Sequence, residues 1–215
     1  MRDIIHTIIN FILSLFTQIA DRRIVVNLIT DEIFEKIRKI YLSNGIPFED
    51  FNIFGIRNEE EQKDAFNDFI CVAAREAVFM FQGTTDPGRY WTENGGYNPD
   101  KQGVAHLCYG YHKNAYMIGK HGDYDALVQW GAPVKIWRDK NRNHKHDEGD
   151  IITSGYFGIN IHMADKNYIA QTVGQWSAGC QVIQNPSDFK IFMELCRNSE
   201  KKKFSYMLIN IKEVF

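Results

Sequence analysis

Two apolar segments carry the strongest indication of architecture in this chain: Phe157-Gly158-Ile159-Asn160-Ile161-His162 and, after fourteen intervening residues, Ser177-Ala178-Gly179-Cys180-Gln181-Val182-Ile183. The first predicts a β-strand that ends in a histidine, and the second predicts a turn of small residues that leads into another strand. Cys180 and His162 are therefore candidates for a nucleophile and its base. A thiol attacks carbonyl groups as the thiolate, and a histidine within hydrogen-bond reach activates it by taking the proton.

Gly179 directly precedes the candidate nucleophile. Because glycine has no Cβ atom, the backbone N–H groups around Gly179 and Cys180 can approach a developing oxyanion closely. The alternative is a buried structural cysteine beside a core histidine, which is the more frequent situation for an arbitrary pair of these residues. The residues around the pair favour the catalytic interpretation.

These segments resemble the motif of the L,D-transpeptidase catalytic domain (YkuD-type), in which an apolar strand ending in His is followed by Ser/Thr-His-Gly-Cys. The resemblance implies that Cys180 is the nucleophile, that His162 is the general base, and that the backbone carbonyl of Met163 orients the histidine. It also implies an oxyanion hole built from the N–H groups around Gly179 and Cys180. We expect Ser177, Trp176 and Met163 on the substrate side of this site.

The chain departs from the family motif at two positions. Ala178 stands where the family has a second histidine, and Val182 stands where most members carry an arginine that helps to hold the substrate. The resemblance therefore implies acyl transfer through a Cys180 thioester. It leaves open whether the acyl group passes to water, as in an L,D-carboxypeptidase or endopeptidase, or to an amine, as in a transpeptidase.

Three segments extend the resemblance over roughly residues 30 to 211: Asn52–Asn58, Gly83–Gly88 and Trp176–Val182. They look like small phage- and prophage-encoded proteins that carry this domain as cell-wall lysins, which favours hydrolysis over cross-linking. The implied partner is the stem peptide of peptidoglycan. The implied site of action is the cell envelope or periplasm, after synthesis in the cytoplasm of a bacterium or a phage-infected bacterium; the export route and the oligomeric state stay open.

The composition predicts one folded core. Among the 215 residues, 44 % are hydrophobic and 13 % aromatic, which argues against disorder. A net charge of −2 gives no reason to expect a nucleic-acid partner. The cysteines at 71, 108, 180 and 196 form no CxxC pair, so they predict no zinc or redox motif.

The predicted fold class is α+β and β-rich: an L,D-transpeptidase-like β-sandwich or barrel core with a few peripheral helices. We divide the chain into an N-terminal helical segment, 1–45, and a catalytic domain, 46–215. The apolar positions from Ile4 to Ala20 favour an amphipathic packing helix. A membrane-tethering or export segment is the alternative, so membrane contact through this helix is not favoured.

Helices are predicted over Asp31 to Leu42 and from Asn185 to about Arg197, and a long loop over Tyr90 to Gln102. A hairpin is predicted over Phe69 to Gln82 around Arg75-Glu76. Further strands are predicted over Phe51–Arg57, Val104–Tyr109, Ala115–Ile118, Pro133–Trp137 and Phe204–Ile211.

Residues 139–150 resemble the loop of an EF-hand calcium site. Oxygen ligands would come from Asp139, Asn141, Asn143, the carbonyl of Lys145, Asp147 and Asp150, at loop positions 1, 3, 5, 7, 9 and 12. His144 replaces the usual glycine at position 6, and Asp150 replaces the bidentate glutamate at position 12. No cofactor is required by the proposed chemistry, so calcium here would be structural. The alternative is an Asx-rich hairpin loop that binds no ion.

Two functional hypotheses therefore stand. The first is a peptidoglycan-acting cysteine enzyme, and the second is a non-catalytic cell-wall or calcium-binding module on the same fold. His106, His112 and His121 belong to no motif, so structural roles come first for each. Of these, His121 is the one we consider for a place near the pocket.

Overall fold

The computed structural model describes residues 31–59, 64–74, 77–96 and 102–215. The helix expected over Ile4 to Ala20 lies outside these residues. Within the described ranges, no helix is long and apolar enough to cross a bilayer.

Strands make up most of the regular structure in the described residues. They are β1 Phe51–Arg57, β2 Asp68–Ala74, β3 Ala77–Thr84, β4 Val104–Leu107, β5 Gly110–His121, β6 Tyr124–Val128, β7 Val134–Asp139, β8 Ile152–Gly155, β9 Ile161–Met163, β10 Gln181–Ile183 and β11 Phe204–Asn210. Eight of them close into a barrel in the order β1-β11-β5-β6-β9-β10-β3-β2, and β4-β7-β8 form a separate sheet. The β-rich α+β prediction is confirmed, and of the two predicted core types, sandwich and barrel, the described residues form a barrel.

Three helices accompany the strands in this part of the chain: α1 Asp31–Ser43, α2 Arg89–Glu93 and α3 Pro186–Asn198, followed by a 3₁₀ turn at Ile211–Glu213. The helix predicted from Asn185 is confirmed. It begins there because the Asn185 side chain accepts the Ser187 N–H as an N-cap. The loop predicted from Tyr90 begins instead with α2. Its first turn closes when the N–H groups of Trp91 and Thr92 donate to the Gly88 carbonyl.

The barrel wall is apolar on both faces where α1 covers it. On β1, Ile53 faces the barrel core, whereas Phe54 and Ile56 pack in a second cluster with Ile37 and Tyr41 of α1. This two-sided burial explains why β1 is a nearly continuous apolar run rather than an alternating one. The α1 helix predicted over Asp31 to Leu42 is thus part of the folded unit.

Aromatic side chains fill the barrel interior. The rings of Tyr116 and Tyr206 meet edge to face at 5.8 Å, and both are fully buried. Gly55 faces the Tyr206 ring, and a Cβ atom there would collide with the Tyr206 hydroxyl. The interior is therefore a packed core.

Candidate active site

The parallel pairing of β9 and β10 brings the two motif segments together. Val182 lies opposite His162 in the register, and the Gln181 N–H donates to the Asn160 carbonyl at 2.9 Å. Cys180 therefore lies beside Asn160, two residues before His162, an offset of about 7 Å along the strands. Because side chains alternate along a strand, Cys180 and His162 are on the same face.

The Cys180 thiol contacts backbone groups of the segment before β9. Its sulfur accepts the Asn160 N–H at 3.4 Å and donates to the Gly158 carbonyl at 3.4 Å. Within the described part of the chain, no hydrogen bond joins Cys180 to His162. Catalytic hydrogen bonds are often long in ligand-free enzymes and tighten when substrate binds.

His162 is buried and has a fixed tautomer. Its Nδ1 lies 2.7 Å from the Met163 carbonyl oxygen, which can only accept, so Nδ1 carries the proton. The Tyr124 hydroxyl lies 3.4 Å from the same carbonyl and donates to it. The Nε2 atom of neutral His162 is therefore the acceptor that a general base requires.

Burial keeps the resting pair neutral. It raises the pKa of the Cys180 thiol to about 11, although the Asn160 N–H opposes the shift. Burial and, to a smaller extent, the neighbouring His121 lower the pKa of His162 to about 3, although the hydrogen bond to the Met163 carbonyl opposes the shift. Attack on a carbonyl thus requires proton transfer from Cys180 to His162 once a substrate is bound, and the imidazolium so formed stabilises the thiolate.

A neutral resting thiol predicts a particular pH dependence of alkylation by iodoacetamide. The reaction rate of Cys180 should rise about tenfold per pH unit from neutrality and show no plateau below about pH 10, because only the thiolate reacts. Peptide mass spectrometry of samples taken over time measures this rate for each cysteine.

Cys108 is the internal control for this measurement, because it is also half-buried and burial raises the pKa of its thiol. A plateau in Cys180 alkylation beginning below pH 8 would indicate a preformed thiolate–imidazolium pair and would contradict the neutral resting state.

The turn before Cys180 is closed by Ser177. The fully buried Ser177 hydroxyl donates to the Cys180 carbonyl at 2.8 Å and accepts the Gly179 N–H at 3.1 Å. Gly179 has φ +125°, and a Cβ atom there would collide with the Ala105 carbonyl. Only glycine satisfies both conditions without strain.

This turn reduces the number of backbone N–H donors available to the expected oxyanion hole. The Gly179 N–H is already used by Ser177, whereas the Cys180 N–H has no acceptor among the described residues. The Cys180 N–H is therefore the backbone donor that remains for an oxyanion.

The other expected substrate-side residues have different surroundings. Trp176 is half-buried and packs with Cys180 on a cluster that includes Val173 and Val182. The Met163 side chain lies in the barrel core, so only its carbonyl serves the site. Val182 is fully buried, which explains an apolar residue at that position.

Gln129 was not predicted from the sequence, and it holds the segment that contacts the thiol. Its buried Oε1 accepts the N–H groups of Phe157 and Gly158 at 2.8 and 3.0 Å, and its Nε2 donates to the Gly155 carbonyl at 3.0 Å. The strand expected over Phe157–His162 is therefore shorter and begins at Ile161. The N–H groups before it bond to a side chain instead of a neighbouring strand.

A second imidazole lies against the candidate base. The rings of His121 and His162 are stacked with centroids 4.1 Å apart and an interplanar angle of 16°. Asn160 Nδ2 lies 3.0 Å from His121 Nδ1. The end of β5, which carries no motif, thus brings His121 to the site.

A charge cluster of Arg57, Asp86 and His106 is connected to the strand that follows the turn; Arg57 and His106 are buried, and the Asp86 side chain is 33 % exposed. Arg57 is 4 % exposed; its Nε lies 3.1 Å from Asp86 Oδ1, and its Nη2 donates to the Thr85 carbonyl at 2.7 Å. His106 Nδ1 contacts the same Asp86 oxygen at 3.0 Å. The Thr85 carbonyl also accepts Gln181 Nε2 at 3.3 Å, so the cluster is bonded to the residue that follows Cys180.

The loop over residues 139–150 adopts a compact Asx-rich conformation. Buried Asp139 accepts the N–H groups of Asn143 and His144 at 3.0 and 2.8 Å. His144 has φ +61°, the left-handed conformation that favours glycine at this loop position. Asn141 and Asn143 both donate to Asp147 at 2.7 Å, and Asp150 accepts the Asp147 N–H.

These contacts show that the expected ligand side chains bond to one another and to backbone N–H groups of the loop. Among the described residues, no group of three or more His, Cys, Asp or Glu side chains is placed to hold a metal ion. Any ion would therefore depend on the asparagine and backbone oxygens as well.

Comparisons of the chain with protein-family models, curated proteins and solved structures return no match. The function is therefore argued from the residues and geometry of the site.

Proposed function

We propose that this protein is a cysteine acyl-transfer enzyme that acts on peptidoglycan stem peptides and passes the acyl group mainly to water. The observation that carries the proposal is the pairing of β9 with β10. It puts the half-buried Cys180 thiol and the His162 imidazole on one face, with an offset of two residues between the paired strands. Among the described residues, His162 Nε2 has no hydrogen-bond partner, because the Met163 carbonyl bonds to Nδ1.

In the first half of the reaction, the thiol proton moves to His162 Nε2 as the sulfur forms a bond to the carbonyl carbon of the substrate. The carbonyl oxygen becomes an oxyanion, to which the Cys180 N–H donates. The C–N bond then breaks, and His162 returns its proton to the leaving amine. The product of this half is a Cys180 thioester.

In the second half, His162 takes a proton from water as the water oxygen attacks the thioester. The C–S bond breaks, and the proton returns to sulfur. Attack by an amine in place of water would give cross-linking. The same residues serve both outcomes, since only the acceptor differs.

The substrate class is supported by the resemblance of the motif segments to L,D-transpeptidase domains. On that basis the scissile amide lies next to a D-configured centre, and the protein acts in the cell envelope or periplasm. The phage-like segments support hydrolysis over transfer.

Incubation with defined muropeptides tests this proposal, with the products weighed by mass spectrometry. We expect shortened stem peptides that depend on Cys180. Intact muropeptides after prolonged incubation with the folded wild-type protein would contradict the proposal and favour a non-catalytic cell-wall or calcium-binding module.

The loop over residues 139–150 supports structural calcium as an accessory feature. The left-handed conformation at His144 and the two N–H groups that donate to Asp139 fit the turn of an EF-hand loop. Calcium would bind the oxygens of Asp139, Asn141, Asn143, Asp147 and Asp150 with the carbonyl of Lys145, and would neutralise the clustered carboxylates.

Calcium should therefore raise the melting temperature. At a calcium concentration of about 100 Kd, the expected increase is about 5 °C or more, because only the folded loop binds the ion. Calorimetry with calcium, with magnesium and with chelator measures this effect. The variant Asp150→Asn should lose most of the increase, and equal melting temperatures with calcium and chelator would contradict a calcium site.

A further inference from the structure

The stacked imidazoles of His121 and His162 differ in their exposure to solvent. His162 is 4 % exposed, whereas His121 is half-buried and so retains access to the outside of the site. Burial lowers the pKa of His121, and a charge on either ring opposes a charge on the other. Both rings are therefore neutral at rest, and each has one N–H donor and one acceptor nitrogen.

The proton position on His121 follows from a chain of hydrogen bonds that begins at the backbone. The Gln129 N–H can only donate, and it donates to Asn160 Oδ1 at 2.9 Å. This contact fixes the orientation of the Asn160 amide, so the group facing His121 Nδ1 is the amide nitrogen, a donor, at 3.0 Å. His121 Nδ1 must then accept, and its proton is on Nε2.

The two rings are therefore opposite tautomers, so one Nε2 atom accepts a hydrogen bond and the other donates one. His162 carries its proton on Nδ1 and presents Nε2 as an acceptor, because the Met163 carbonyl fixes that choice. His121 presents Nε2–H as a donor. Asn160 connects His121 to the nucleophile, since its side chain contacts His121 and its backbone N–H contacts the Cys180 sulfur.

We propose that His121 is a second catalytic imidazole, which donates a hydrogen bond from Nε2–H to the substrate carbonyl oxygen as that oxygen gains charge. This role rests on the proposed acyl transfer. It supplies a side-chain donor in addition to the Cys180 N–H, since the Gly179 N–H is bonded to Ser177. Proton transfer then belongs to His162, and charge stabilisation belongs to His121.

The variant His121→Phe tests this division of roles, because phenylalanine keeps an aromatic ring over His162 and removes the donor. We expect kcat for muropeptide cleavage to fall by about 10²-fold, the loss typical of one oxyanion donor. The alkylation rate of Cys180 by iodoacetamide should stay at the wild-type value, because alkylation produces no oxyanion. The variant His121→Gln, whose amide N–H can donate, should recover part of the lost kcat.

The outcomes separate the inference from the proposed function. Wild-type kcat in His121→Phe would overturn the donor role, and so would equal losses of cleavage and Cys180 alkylation, which indicate that His121 only positions the thiol. A folded wild-type protein that leaves muropeptides intact would overturn the acyl-transfer function itself, and the role of His121 with it.

Discussion

Replacement of Cys180 by alanine should reduce muropeptide cleavage by at least about 10³-fold, because the covalent route disappears with the sulfur. The fold should survive. The thiol makes two weak contacts at 3.4 Å, and the turn is held by Ser177 and Gly179 rather than by the sulfur. The initial rate of product release, measured by chromatography and mass spectrometry, checks this loss.

The matched control is Cys108→Ala, since Cys108 is also a half-buried free thiol. Its cleavage rate should equal that of the wild type. The variant His162→Gln should fall about as far as Cys180→Ala, and the double variant should lose little more, because residues that act as one unit are not additive. Full turnover in Cys180→Ala would refute the nucleophile.

Replacement of Arg57 by methionine should lower the free energy of unfolding by about 2 kcal/mol or more, because each buried acceptor left without a donor costs about 1–3 kcal/mol. The guanidinium is 4 % exposed and bonds Asp86, Thr85 and the Leu107 carbonyl. Methionine fills similar space but leaves Asp86 and two carbonyls without these donors. Equilibrium denaturation in guanidinium chloride measures the difference.

Arg38→Met is the control for this change. The Arg38 side chain is about half exposed and pairs with Glu35 on the surface of α1 at 3.3 Å, so its loss should change the free energy of unfolding by less than about 0.5 kcal/mol. Similar effects of the two substitutions would contradict a stabilising role for the charge cluster. Because this cluster bonds Gln181 through Thr85, we also expect lower activity in Arg57→Met.

The sequence was informative where local patterns determine structure. The apolar run Phe51–Arg57 predicted β1, and the Asn185-Pro186 pair predicted the start of α3, because short apolar runs, capping and proline act over a few residues. The small-residue turn before Cys180 also follows local rules, since the left-handed conformation of Gly179 excludes a side chain.

The positions of the residues that surround the motif could not be predicted without the fold. Gln129 contacts Phe157 across 28 positions, and His121 meets Asn160 across 39. Neither belongs to a local pattern, because the closure of β5, β6, β9 and β10 into one barrel wall brings them together. The hydrogen bond from the Gly179 N–H to the Ser177 hydroxyl could not be predicted from the sequence either, since it depends on the rotamer of Ser177.

The most direct test of the proposed mechanism is the intact mass of the protein after an acid quench during muropeptide turnover. We predict a covalent acyl adduct that maps to Cys180 as a thioester, is absent from Cys180→Ala and accumulates in variants that slow the second half-reaction. Shortened stem peptides formed without any adduct on Cys180, and at the same rate in Cys180→Ala, would contradict it.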